Sequence, residues 1–318
     1  MNWQNLIEQQ AHLSYPDAES VNGQQLIPLP GTSLIQVSGE EAEGFLQNLL
    51  TNDVNALQPH QAQLSGFCNP KGRLLAVFQL IRREQDFLIA LPAELAEAIS
   101  QRLNMFKLRS KVDISILDDS YVIGLTGDES LGPQQDWQGQ LLDHGLLLRQ
   151  PGKQARFMLI TDSKGCELIS HRLDQGWQLG SEAVWQLHNI EAGLPMVFNE
   201  SKEAFTPQQI NLDLVDGVSF KKGCYPGQEV VARLHYLGSP SRRLFLGTID
   251  DAELPAINSA VTGEGGETLG HVVQAQFVAK DRILCQLTMK LSGLEKTAML
   301  AGHQVQSLTA LAEETEAG

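Results

Sequence analysis

Along the first two thirds of the chain, short apolar runs alternate with segments whose apolar residues recur every three or four positions. Runs of the first kind read as strands and segments of the second as amphipathic helices. Strands are predicted at residues 33–37, 64–68, 73–80, 87–91, 112–116, 121–125, 146–149 and 157–161. The runs at 73–80 and 87–91 flank the polar Arg82-Arg83-Glu84-Gln85-Asp86 and form a hairpin. Residues 1–25 are polar and read as a partly ordered lead. Ser38-Gly39-Glu40-Glu41 fits a capping box for a helix running to about Leu50. Leu95, Ile99, Leu103 and Phe106 mark a helix over 92–107. Residues 128–144 read as a loop with a weak helix, and 166–173 as a helix. A helix over 183–193 ends at Gly193, with Pro195 beyond it. Strand–helix–strand units with hairpins, rather than strict alternation, indicate an α+β fold.

After Gly238 the rhythm changes. Ser239-Pro240-Ser241-Arg242-Arg243 reads as a linker, followed by short strands separated by Gly, Asp and Asn, the pattern of a small barrel or sandwich. The boundary falls between 1–238 and 239–318, and residues 313–318 read as an acidic frayed tail.

The densest stretch of special residue types is Lys221-Lys222-Gly223-Cys224-Tyr225-Pro226-Gly227-Gln228-Glu229. Pro226-Gly227 suits the centre of a type II turn. A helix over 228–236 follows, with Val230, Val231, Leu234 and Leu237 at helical spacing and Gly238 as its stop. Cys224 thus precedes a helix N-terminus and has Lys222 beside it, both of which favour a thiolate. A small buried hydrophobe is an equal reading of Cys224 from position alone.

This segment resembles the K-G-C-[Y/F]-x-G-Q-E signature of the YgfZ family, folate-binding proteins of tRNA modification related to the glycine-cleavage T-protein. Further stretches agree in order. Phe45-Leu46-Gln47-Asn48-Leu49-Leu50-Thr51-Asn52-Asp53-Val54 resembles the family's opening unit. Trp185 to Pro195 resembles W-x-x-x-x-I-E-A-G-x-P, and Phe205 to Asp213 resembles F-x-P-x-x-x-N-L-D. The resemblance implies a T-protein-like fold of three domains around a central cavity. It implies that Trp185 packs against folate and that Glu191 holds the pterin, with Cys224 and Lys222 as candidate reactive groups. A carboxylate suits a pair of pterin N–H donors, and an aromatic plane suits its ring. Without the resemblance, Trp185 reads as core and Glu191 as an exposed helix residue. Thr32 stands about where many relatives carry a tryptophan of the folate site. The run Gly72-Arg73-Leu74-Leu75-Ala76-Val77 lacks the acid that T-proteins place near the folate nitrogen, which argues against aminomethyl transfer. A tetrahydrofolate-dependent transferase stays as the alternative. The implied partners are iron–sulfur enzymes of tRNA methylthiolation, and the family is also linked to regulation of chromosomal replication.

Charge and cysteine usage narrow this further. The 318 residues carry a formal charge of −15, which disfavours direct nucleic-acid binding by the chain as a whole. Lys107, Arg109 and Lys111 form a small cationic cluster, most simply a solvated surface. Cys68, Cys166, Cys224 and Cys285 lie far apart without zinc or cluster spacing, so no metal site is expected. Free thiols, no basic–apolar leader and no apolar run of about 18 residues fit a cytoplasmic monomer without a membrane span.

Overall fold

The computed structural model describes residues 2–13 and 23–311, so the predicted acidic tail lies outside the described residues. The fold is α+β and divides into two compact units, each assembled from separated stretches of chain.

The first unit comprises residues 1–45, 55–63 and 78–188. It opens on a helix, α1 (Trp3–Gln10), where the polar composition had suggested only a partly ordered lead. Asn2 caps it by accepting the Asn5 N–H, and Leu6 is buried. A six-stranded sheet is built, in spatial order, from Gln178–Leu179 (β11), Gln25–Pro28 (β1), Tyr121–Thr126 (β7), Arg156–Thr161 (β10), Gly145–Arg149 (β9) and Gly139–Leu142 (β8). β8 lies in the stretch 128–144 that read as a loop. Its Gln140, Leu141 and Leu142 are exposed, so it offers little of the alternation by which strands are recognised. Strands β1, β7, β9 and β10 bury both faces. Ile27, Val122, Leu146, Leu148, Met158 and Ile160 point to one core, which also contains Leu34, Leu88 and Trp185. Leu26, Ile123, Leu125, Leu147, Phe157 and Leu159 face a second core with Leu6, Cys166 and Trp177. Two buried faces explain the unbroken apolar run Phe157-Met158-Leu159-Ile160.

Thr32–Ser38 (β2) pairs antiparallel with Asp86–Pro92 (β5) and with Asp113–Ile116 (β6). Ser38 is the last residue of β2, so the predicted capping box does not form. Helix α2 (Ala42–Gln47) starts four residues later, and the Glu41 carboxylate accepts the Lys111 N–H instead. The strand's pairing outcompetes the local cap. Helix α3 (Ala93–Lys107) buries Leu95, Ile99 and Leu103, as their spacing predicts. The cluster after it is partly neutralised: Lys107 pairs with Asp113 at 3.3 Å and Lys111 with Glu40 at 2.7 Å. Helix α4 (Ser163–Ser170) is capped by Asp162.

The second unit comprises residues 46–54, 64–77 and 189–318. Its largest element is a curled antiparallel sheet, a half-barrel. In spatial order it runs His303–Gln304 (β17), Ala298–Leu300 (β16), Ala260–Gly263 (β13), Thr268–Ala279 (β14), Arg282–Lys290 (β15), Arg242–Ile249 (β12) and Gln306–Ala310 (β18). Register shifts in β12, β13 and β14 bend it. Val261, Leu269, Val272, Ile283, Cys285, Leu287 and Met289 fill its core. The predicted linker is shorter than expected, because Arg242 and Arg243 already pair with β15.

Candidate functional site

The Cys224 segment is held from several sides within the second unit. Tyr225-Pro226-Gly227-Gln228 is the predicted turn: Gly227 has φ +82°, and the Gln228 N–H donates to the Tyr225 carbonyl at 3.1 Å. A side chain at Gly227 would not fit. Its Cβ would stand 2.5 Å from the Asn69 carbonyl oxygen and 2.6 Å from the Gly72 Cα. The Asn69–Gly72 turn therefore packs directly on the cysteine turn. Asn69 Oδ1 stiffens it by accepting the Lys71 and Arg73 N–H groups.

Lys222 is buried, and its ammonium is spent inside the fold. Nζ donates to the carbonyls of Gln47, Leu50 and Asn52 at 2.6, 2.6 and 2.9 Å, and it lies 5.4 Å from the centre of the Tyr225 ring. These carbonyls lie at and just beyond the C-terminal end of α2, the negative end of the helix dipole, where an ammonium is favoured. Burial pushes the Lys222 ammonium down to about 8 while Asp53 pulls it up, so it stays charged at neutral pH. Lys222 thus ties the cysteine turn to the end of α2. Cys224, its near neighbour in sequence, is the exposed cysteine; Cys68, Cys166 and Cys285 are buried, with their thiols pushed up to about 12, 11 and 12 by desolvation.

Helix α5 (Glu182–Glu191) carries Trp185 and Glu191. Trp185, 5% exposed, belongs to the first unit. Its indole lies on Gly124, where any Cβ would come within 2.5 Å, and the Arg156 guanidinium stands 5.2 Å from the ring centre. Glu182 starts the helix and accepts the Gly31 N–H at 3.1 Å, and burial pushes its carboxyl up to about 7. Glu191 is exposed and belongs to the second unit. Just beyond it the helix closes on Gly193, φ +71°, with Gly193 N–H to Ile190 O and Leu194 N–H to Asn189 O. The buried Gln274 and Gln286 donate to the Leu194 and Ile190 carbonyls, so the half-barrel satisfies groups the helix leaves open. Lys222, Cys224 and Glu191 therefore fall in the second unit and Trp185 in the first.

Sequence reasoning passed over the work of the 205–213 connector. Asn211 adopts φ +55° and brackets one backbone residue of β12, donating to Leu244 O and accepting from Leu244 N–H. Asp213 receives Arg243 at 2.7 and 2.9 Å. An Asn at a helix end beside an Asp was the available signal. Its partners lie about thirty residues away and were not visible. At the other predicted position, Leu74, Leu75, Ala76 and Val77 are buried aliphatic residues of strand β4 (Leu74–Arg82).

The architecture is an aminomethyltransferase-like fold. The crystal structure of the glycine cleavage system aminomethyltransferase T from Bartonella henselae superposes with a TM-score of 0.73, covering 96% of this chain and 88% of that one at 18% identity. No family model matches the chain. Curated relatives decide the family. The tRNA-modifying protein YgfZ of Enterobacter sp. (strain 638) is 30% identical over 276 residues, 83% of this chain and 85% of its own. Those of Aliivibrio fischeri (strain MJ11) and Colwellia psychrerythraea are 34% and 33% identical, covering 74% and 69% of this chain and 74% and 70% of their own lengths. The chain belongs to the YgfZ family.

Proposed function

We propose that this chain is a folate-binding accessory protein of tRNA modification, with Cys224 as its reactive group. The observation that carries the reading is the intact K-G-C-Y-P-G-Q-E segment, built as an exposed cysteine on a turn clamped by Lys222 and the Asn69–Gly72 turn. Such rigidity serves a nucleophile or ligand-touching thiol, whose position has to be fixed before the partner arrives. The donor set of α5 suits a folate. Glu191 offers an exposed carboxylate to pterin N–H groups, while Trp185 packs into the core of the first unit. A bound reduced folate would supply or accept a one-carbon unit. The buried aliphatic run at 74–77 provides no proton-handling acid, so aminomethyl transfer is the weaker reading. Methylthiolation of tRNA, upkeep of iron–sulfur enzymes, a link to chromosomal replication and a cytoplasmic location complete the proposal.

Titration with tetrahydrofolate, followed by tryptophan fluorescence and calorimetry, tests it. Saturable binding that Glu191→Gln weakens tenfold or more supports the site. Absence of binding in the intact protein rejects the folate reading. Cys224→Ser is expected to abolish support of tRNA methylthiolation in cells while leaving folate affinity unchanged.

A further inference from the structure

Helix α6 (Gln228–Leu237) is anchored along one side and bare along the other. Val231 is fully buried, and the Gln208 side chain donates to its carbonyl at 2.7 Å. Tyr236 and Leu237 are 63% and 82% exposed. That exposed end carries a cluster of rings. His235 stacks on Phe220 with centroids 3.6 Å apart and planes 7° from parallel. Tyr236 stands edge-on to His235 at 4.7 Å, and its hydroxyl donates to the Phe220 carbonyl at 3.3 Å. The rings therefore hold one another in a fixed arrangement while His235 and Tyr236 remain exposed.

The charge around them runs against that of the whole chain. Residues 218–243 hold five Lys and Arg against one acid, Glu229, in a chain of formal charge −15. Lys222 and Arg243 are used internally. Lys221 and Arg233 are exposed, as is Lys71 on the turn packed against Gly227. Flat rings on a rigid support with cations beside them are what an unpaired base and its phosphates require. A hydrophobic protein contact would account for Leu237 and Tyr236, but not for a stacked imidazole flanked by this local excess of cations.

We propose that the exposed end of α6 is a docking platform for single-stranded RNA, stacking an unpaired base on the His235 ring, with Tyr236 standing at its edge, while Lys221, Arg233 and Lys71 meet the phosphates along the strand. The choice of RNA as partner rests on the tRNA-modification reading, not on folate binding. The net charge of −15 belongs to the whole chain, whereas the platform is local, and with three exposed cations its binding is weak and salt-sensitive.

The test uses the full chain and a fluorescein-labelled single-stranded RNA of about 12 nucleotides, with a duplex of the same length beside it, followed by anisotropy at low and near-physiological salt. The single strand is expected to bind more tightly than the duplex. His235→Ala and Tyr236→Ala should each weaken it about 5-fold to 100-fold, whereas His235→Phe, which keeps the stack, should retain binding. Lys221→Gln should lower the slope of log affinity against log salt by about 0.7. Thermal melts check that the variants fold, and the comparison of Phe with Ala at 235 separates ring loss from misfolding. No saturable single-strand binding at low salt overturns the proposal and marks the face as a protein contact. Equal affinity for strand and duplex, with the ring variants unchanged, also overturns it. Tetrahydrofolate titration of the same variants is expected to be unaltered, so an unsubstituted chain that binds tetrahydrofolate but no single-stranded RNA refutes the platform and leaves the folate reading standing.

Discussion

Helices α5 and α6 are each ten residues long, and both carry apolar residues at helical spacing. Yet α5 buries Val184, Trp185, Leu187 and Ile190, while α6 fully buries Val231 and leaves Val230, Tyr236 and Leu237 in the open. Apolar periodicity fixes where a helix forms, but not how much of its apolar side finds a partner. Helix α5 is held by packing. Helix α6 is held at its start, by the turn at Gly227, the clamp at Lys222 and the Gln208 bond, which leaves its far end available for contact.

The largest effect expected from this contrast is on stability. Trp185→Ala should cost about 3–5 kcal/mol in urea denaturation, against less than about 0.5 kcal/mol for Leu237→Ser, although both are large apolar side chains on ten-residue helices. Comparable losses at both sites would erase the distinction. Next comes the clamp. Lys222→Met strips three carbonyls of their donor and should cost about 2–3 kcal/mol, together with a changed rate of Cys224 reaction with a chromogenic disulfide. An unchanged midpoint and thiol rate would show that Lys222 does not position the turn.

The smallest effect sharpens the anchoring of α5. The Glu182 carboxyl, pushed up to about 7 by burial and held back by the Gly31 N–H, lies above its ordinary 4.5. Between those values the folded chain binds more protons than the unfolded one, so stability is fully present at lower pH and falls as pH rises through that window. Discounted for partial solvent contact, the change is about 2 kcal/mol. Glu182→Gln should flatten the pH–stability curve there, and a slope that survives the substitution would mean that another group titrates.

Local signals were legible wherever the physical cause is local. The Pro226-Gly227 turn, the stop at Gly193 and the i, i+4 spacing of Leu95, Ile99 and Leu103 in α3 each form as their residues dictate, while Phe106, at the end of that spacing, is exposed. The capping box at Ser38 did not, because β2 continues through Ser38 and pairs it with Asp86 and Asp113. Strand β8 was missed because its exposed leucines break the alternation, and α1 because its one fully buried apolar residue, Leu6, leaves no apolar periodicity. Gly238 stops α6 as expected, in an extended conformation as the chain leaves toward β12.

The sequence by itself determined the family, through a contiguous signature that needs no partner, and the α+β class, through periodicities set by backbone geometry. It also placed Cys224 at the head of a helix. Only the tertiary structure decided what surrounds these groups. It spends the Lys222 ammonium on carbonyls more than 165 residues away in sequence, encloses Trp185 and leaves Cys224 and the rings of α6 exposed. Burial and hydrogen-bond partners depend on distant segments meeting, and no window of sequence contains both sides of such a contact.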